Sequence, residues 1–377
     1  MTPAEHSMTF LNAIDESAAL EDLHQLGCTD GLPVVIPTAS RVARMVLAST
    51  LEADMVLGSM GPAGGIATVE KVAVAAVMAG CLPDYMPVVI AAVKAVIDPV
   101  FDLTEMQATT HCTAPLIIVN GPARHDCGPI ASGFGALGPG FRANASIGRA
   151  LRLTMINIGG ARPGESDMAL LGHPGKFTYC LAEDEENSPF TPLHVGLGFE
   201  PEDSVVTVIG AEAPHSVIFS GDADDPDNHK HLLEILAIGL TNMATNNAIL
   251  GRGSATVVLN PEHADILAQA GLDRHQIAQQ LFELCQHSVA AMARLVPGFV
   301  HHKGEDKQRY CFTSAQKILI LMAGGSGIYS MVMPSWCAGG HSNSASSVKI
   351  DTDQFCEIPG LASQTINPAL PPTSQAS

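Results

Sequence analysis

Thr109-Thr-His-Cys-Thr-Ala-Pro-Leu-Ile-Ile-Val-Asn-Gly-Pro122 joins the clearest buried strand of the chain to its densest group of reactive side chains. Leu116–Val119 is an unbroken apolar run, and Asn120-Gly-Pro122 is a turn signal directly after it, which together predict a core strand. An apolar run without polar alternation belongs to a strand covered on both faces, as in layered α/β proteins.

Working outward, helical and extended patterns alternate. Thr68 is placed to cap an apolar helix that ends near Gly80, and a second apolar helix is expected from about Met86 to Ile97. Both are apolar nearly all round and should be buried. Gly31-Leu-Pro-Val-Val-Ile-Pro37 reads as a short strand, Gly58–Gly65 as a loop, and Asn144 as the cap of a helix over Ala145–Asn157. Residues 162–201 look irregular, longer than structureless loops usually run, so they contain either a functional loop system or unrecognised strands. Strands are expected at Ser204–Gly210, Ala255–Leu259, Lys317–Met322 and Ile328–Pro334. Asn260 with Pro261, and the Asp273/Gln276 pair, mark two helix starts. The expected fold is α/β: mixed sheets covered by apolar helices, in two tightly packed subdomains. The expected division is an α/β region with Gly-rich loops and the site over 1–200, a second α/β region over 201–350, and a flexible tail over 351–377.

Composition narrows the function. Of 377 residues 46% are hydrophobic and only 15% charged, which suits a large core and a homo-oligomer. With 38 acidic and 19 basic residues the net charge is −19, so the clustered cations that bind nucleic acid or an acidic membrane surface are missing. The first residues lack the basic and apolar regions of a signal peptide, and no apolar run is long enough to span a bilayer, so the expected location is the cytoplasm. Nine cysteines with no Cys-x-x-Cys pair disfavour a disulfide scaffold and a thiolate metal site. No cofactor is called for by any motif; a metal held by His and carboxylates remains possible.

Four groups of residues carry candidate chemistry. In the first, Thr110, His111 and Cys112 stand beside the predicted strand, an imidazole and a thiol together; on an extended chain they point to opposite faces, so they need not touch. In the second, Gly172-His-Pro-Gly-Lys-Phe-Thr-Tyr-Cys180 with Glu183-Asp-Glu-Glu186 assembles His173, Lys176, Cys180 and Glu183, the mixed titratable set that acid–base catalysis uses. The third is the Gly-rich stretch 133–144 opening a helix, where Arg142 is a candidate anion clamp and Asn144 a substrate-binding residue. The fourth, Gly324-Gly-Ser-Gly327, lacks the Lys of a Walker loop but offers backbone N–H groups to a carboxylate or phosphate.

Asp30-Gly-Leu-Pro-Val-Val, Thr109-Thr-His111, Ile118-Val-Asn-Gly-Pro122, Arg142-Ala-Asn-Ala-Ser-Ile-Gly-Arg149 and Gly172-His-Pro-Gly-Lys176 resemble a bacterial family, itself of largely unassigned activity. That family is associated with small redox proteins bearing a Sec/Cys-Gly-Ser-Cys (UGSC) motif. The resemblance spans about 30 to 335 and implies redox or thiol chemistry, distantly similar to thiol- or selenol-dependent reductases that cleave carbon–nitrogen bonds. It also implies a separate small redox partner, since this chain has no Cys-Gly-Ser-Cys. Relatives read Thr-Thr-His-Pro where this chain reads Thr109-Thr-His-Cys112, which puts the weight on His111.

The expectation is a small-molecule enzyme, a lyase or thiol-dependent oxidoreductase, acting on a carbon–heteroatom bond of a small anionic substrate. His111 is the expected acid/base and Cys112 or Cys180 the thiol. Lys176 and Glu183 are the expected proton-transfer groups, while Thr110, Arg142, Asn144 and His173 would bind substrate. The alternatives are a metal-assisted hydrolase or hydratase, and a non-catalytic subunit serving a redox partner.

Overall fold

In the computed structural model, which describes residues 10–222, 224–335 and 339–351, the predicted strand is the third of twelve. The strands are β1 (Val56–Met60), β2 (Gly65–Thr68), β3 (Ala114–Asn120), β4 (Cys180–Ala182), β5 (Val205–Ala211), β6 (His215–Ile218), β7 (Ala255–Leu259), β8 (Gln286–Ser288), β9 (Gln308–Tyr310), β10 (Ile318–Met322), β11 (Tyr329–Pro334) and β12 (Ser346–Lys349). They form two four-stranded mixed sheets, ordered β12-β5-β3-β4 and β10-β7-β11-β6, and two small hairpins.

β3 runs parallel to β4 and antiparallel to β5, with Ala114 opposite Ala211 and Asn120 opposite Val205. Its side chains divide between two cores because successive residues point to opposite faces. Ile117 and Val119 enter a core formed with helices Val69–Ala79, Met86–Ile97 and Arg142–Asn157. Ala114, Leu116 and Ile118 instead meet Val258, Leu319, Leu321 and Met333 of the second sheet. The other face of that second sheet is covered by helices Asn228–Leu240, Pro261–Gln269 and Arg274–Leu284. The molecule is therefore layered helix–sheet–sheet–helix. Each large side chain in the middle layer contributes about 1.5–3 kcal/mol of burial, which binds the two sheets into one body.

The helix signals work as physics requires. Thr68 accepts the Lys71 N–H, and Gly80 ends that helix at φ 84°. Asn260 accepts the His263 N–H, and Asp273 with Gln276 forms a reciprocal capping box.

Several expectations are corrected. Gly31–Pro37 forms no strand: Pro33 and Pro37 cannot donate to a ladder, and Val35 makes one backbone bond, to Met78. The loop expected at Gly58–Gly65 is the turn of the β1–β2 hairpin with its flanking residues. The helix expected to start after Asn144 starts at Arg142, so Asn144 lies buried in its first turn. Residues 162–201 contain β4 and two short helical turns. β5, which ends at Ala211, pairs in the first sheet; the chain passes to the second sheet after it and returns after Pro334 to add β12 to the first. The expected tail falls outside the described residues apart from Asp351. Among the described residues no helix is long and apolar enough to cross a membrane.

Candidate functional site

Thr109–Thr113 leads into β3 where the C-terminal end of β5 arrives antiparallel beside it, so His111 meets Glu212, the residue after β5. His111 Nε2 lies 3.0 Å from Glu212 Oε1, and both side chains are largely buried. An ionised carboxylate only accepts hydrogen bonds, so Nε2 carries the proton. The opposite ring nitrogen, Nδ1, is buried without a hydrogen-bond partner among the described residues. In the neutral ring that leaves the lone pair on Nδ1. An imidazole oriented by a carboxylate in this way is the arrangement that general-base histidines use.

The loop before β4 closes one side. His173 Nδ1 accepts the Gly175 N–H at 3.1 Å, which leaves Nε2 to donate to the Ala211 carbonyl at 3.2 Å. Burial pushes the His173 pKa down, reinforced by the nearby Lys176, so the ring is held neutral in one tautomer. Its edge meets the Tyr179 ring at 5.8 Å, and the Tyr179 hydroxyl donates to the Glu212 carbonyl at 2.9 Å. His173 and Tyr179 thus fix both ends of the Ala211-Glu212 peptide that aims Glu212 at His111.

Lys176 stands on the other side of this loop. Its Nζ reaches Asp167 Oδ1 at 2.8 Å and the Thr113 carbonyl at 3.5 Å. Burial lowers the Lys176 pKa and the Asp167 carboxylate partly restores it; Cys112 is close enough to contribute electrostatically. Arg152 donates to the second Asp167 oxygen at 2.7 Å and to Gln107 Oε1 at 3.2 Å. Two cations sharing one carboxylate leave a positive excess beside Cys112, in a chain whose net charge is −19. Cys112 is half-buried, and the Thr113 hydroxyl is buried without a partner among the described residues. Thr110 is exposed, and its carbonyl accepts the Leu170 N–H. Segment 168–172 is thereby tied to the chain that carries His111, while Leu170 and Leu171 stand 80% and 96% exposed.

His111, Cys112, His173 and Lys176 are therefore brought together. The other expected site residues lie elsewhere, and each has a structural task. Arg142 Nε and Nη2 both donate to the Gly80 carbonyl, closing the end of helix Val69–Ala79. Asn144 ties Ala131, Ala136 and Cys180 through its amide. Cys180 is buried in the helix-side core, where burial drives its pKa up and leaves the thiol unionised. Glu183 sits beyond the far end of β4, taking hydrogen bonds from Asn120 Nδ2, the Leu193 N–H and Arg274. It is not the partner of Lys176; Asp167 is. The Gly324–Gly327 turn does receive a carboxylate, but the chain's own: Gly327 N–H donates to Glu262 at 2.7 Å.

Glu212, Tyr179, Asp167 and Arg152 were missed by the sequence reading. They lie up to 101 positions from His111 (212 − 111) and form no local motif. Only Tyr179 lay inside a stretch already singled out. Of the resembling segments, Asp30 and Arg149 are tied to each other, with Arg149 Nε 2.7 Å from Asp30 Oδ2. Among the described residues no group of three or more His, Cys, Asp or Glu is placed to hold a metal. Compared with protein-family profiles, curated proteins and solved structures, the chain matches none.

Proposed function

We propose that the protein is a small-molecule enzyme in which His111, oriented by Glu212, is the general base that opens a carbon–heteroatom bond of a small anionic substrate. The observation that carries this is the bare, buried Nδ1 of an imidazole whose other nitrogen is fixed by a carboxylate. Lys176, close to Cys112, offers a cation to an anionic substrate and, with its pKa lowered by burial, can return a proton to the leaving group.

A second reading, thiol-dependent reductive cleavage, is favoured by Cys112 lying near Lys176. Two electrons and two protons would come from the dithiol or selenol–thiol pair of a small redox partner, which becomes the disulfide or selenenyl sulfide; the carbon takes one proton, and His111 Nδ1 relays the other to the released heteroatom.

A panel of small carboxylates and phosphates bearing C–O, C–N or C–S bonds, followed by NMR with and without a dithiol, separates the readings. The acid–base reading expects turnover without dithiol that falls about 10²–10⁴-fold in His111→Ala and persists in Cys112→Ala. Turnover that needs dithiol and Cys112 supports the second reading. Undiminished activity in His111→Ala refutes both.

A further inference from the structure

β8 and β9 form a short antiparallel ladder between the end of helix Arg274–Leu284 and the start of β10. Gln286 lies opposite Tyr310, His287 opposite Arg309 and Ser288 opposite Gln308. The register continues one residue further at both ends. Cys311 N–H donates to the Cys285 carbonyl at 2.9 Å, and Val289 N–H donates to the Lys307 carbonyl at 2.8 Å. Bonded and non-bonded pairs alternate along an antiparallel ladder, and 285/311 and 289/307 both fall at bonded positions of one register. Cys285 and Cys311 are therefore directly opposed, with their side chains on one face. Burial agrees with that placement. Both cysteines are fully buried in the core between the second sheet and helices Asn228–Leu240 and Arg274–Leu284. Tyr310, one residue before Cys311, points the other way, 43% exposed and stacked on Phe282. The Thr241 hydroxyl lies against both thiols.

A bonded antiparallel pair sets its Cα atoms about 5.5 Å apart, inside the roughly 4.4–6.8 Å that a disulfide spans. Both thiols are free. Burial pushes the Cys285 pKa up to about 12 and that of Cys311 up to about 11, with Thr241 partly opposing the shift in each, so both stay neutral while the ladder is closed. We infer that Cys285 and Cys311 are an oxidation site, which hydrogen peroxide converts into an intramolecular disulfide that clasps residues 286–310. One sulfur is first oxidised to the sulfenic acid as the peroxide O–O bond breaks and water leaves. The opposed thiol then displaces the sulfenic hydroxyl as a second water, and the S–S bond forms. The two thiol hydrogens end in water, and the two electrons in the cleaved O–O bond. With three residues on each strand, this ladder opens more readily than the four-stranded sheets, and opening admits the peroxide. Closing the clasp ties the end of helix Arg274–Leu284 to the chain entering β10, so oxidation suppresses further opening. Neither cysteine belongs to the His111 site, and the inference stands apart from the reaction proposed there.

The test uses the full chain, reduced, treated with hydrogen peroxide under native conditions, alkylated in denaturant and mapped by mass spectrometry. The expected product carries a Cys285–Cys311 link with the loss of two hydrogen atoms, and dithiothreitol restores both thiols. Amide hydrogen exchange over 285–289 and 307–311 should slow at least about fivefold on oxidation and recover on reduction. Cys311→Ala should lose both the link and the slowing; the mapping is read on the wild-type chain and holds even where that variant fails to fold. Recovery of both cysteines as alkylated thiols overturns the inference. So does either one found as sulfinic acid or joined to a different cysteine, or exchange as fast in the linked chain as in the reduced one.

Discussion

At the residue scale, His111 was legible because its chemistry is local. An imidazole, a thiol and hydroxyls stand together immediately before a run that can only be a core strand. What completes it was not legible. Glu212 reaches His111 only because β5 lies antiparallel to β3, and nothing in the composition of either strand states that pairing. Glu212→Gln tests the coupling: the amide oxygen still accepts from Nε2 but carries no charge, so the imidazolium that forms when Nδ1 takes a proton loses its stabilising partner. Turnover should fall about 100-fold or more, with little change in melting temperature. Asp167 yields a prediction in pH. Burial alone would raise its pKa, but Lys176 and Arg152 bring it below the ordinary carboxylate value. A carboxylate with a depressed folded pKa contributes stability that is fully present above its unfolded value, about 3.9, and is lost as pH falls through the folded value. Asp167→Asn should therefore flatten the acid limb of stability against pH. It should also cost about 3–5 kcal/mol at neutral pH, because two buried cations lose their partner. Both effects are read from urea titrations at a series of pH values.

At the element scale, capping residues and apolar helices were readable because each depends on near neighbours. Sheet order was not. A strand apolar on both faces conceals which face meets which layer, and short strands such as β4 carry too few residues for a periodic signal. The Gly-Pro-rich stretch at 31–37 shows the converse, strand composition defeated by missing donors. Gly148 links an element to the site. A Cβ at this position in helix Arg142–Asn157 would lie 2.4 Å from Thr178 Oγ1 and 2.6 Å from the Tyr179 nitrogen. Alanine normally strengthens a helix by about 1 kcal/mol relative to glycine. Here the contact with the Thr178-Tyr179 backbone should reverse the sign, so that Gly148→Ala destabilises by about 1–3 kcal/mol and lowers turnover by moving Tyr179 off Glu212. Thermal unfolding and kinetics of the one variant check both effects.

At the scale of the whole molecule, the carboxylate cluster read as catalytic joins the sheets. Arg274, from a helix on the second sheet, contacts Glu183 beside the first, along with the carbonyls of Thr191 and Ile320. Arg124 holds Glu185 and Glu186 in the same cluster. Acidic residues following a loop that carries a His and a Lys look alike in sequence whether they transfer protons or pair with buried arginines, because the arginines come from elsewhere in the chain. Arg274→Met should leave Glu183 buried and unpaired, costing about 3–5 kcal/mol in chemical denaturation. Turnover at saturating substrate should be retained, since His111 lies at the opposite end of β3.

Long-range proton–nitrogen NMR of histidine-labelled protein at neutral pH, with His111 assigned by its loss in His111→Gln, reads the proposed base directly. The predicted result is a His111 ring with its proton on Nε2 and a bare Nδ1. A wild-type ring with its proton on Nδ1 would contradict the assignment of His111 as the base.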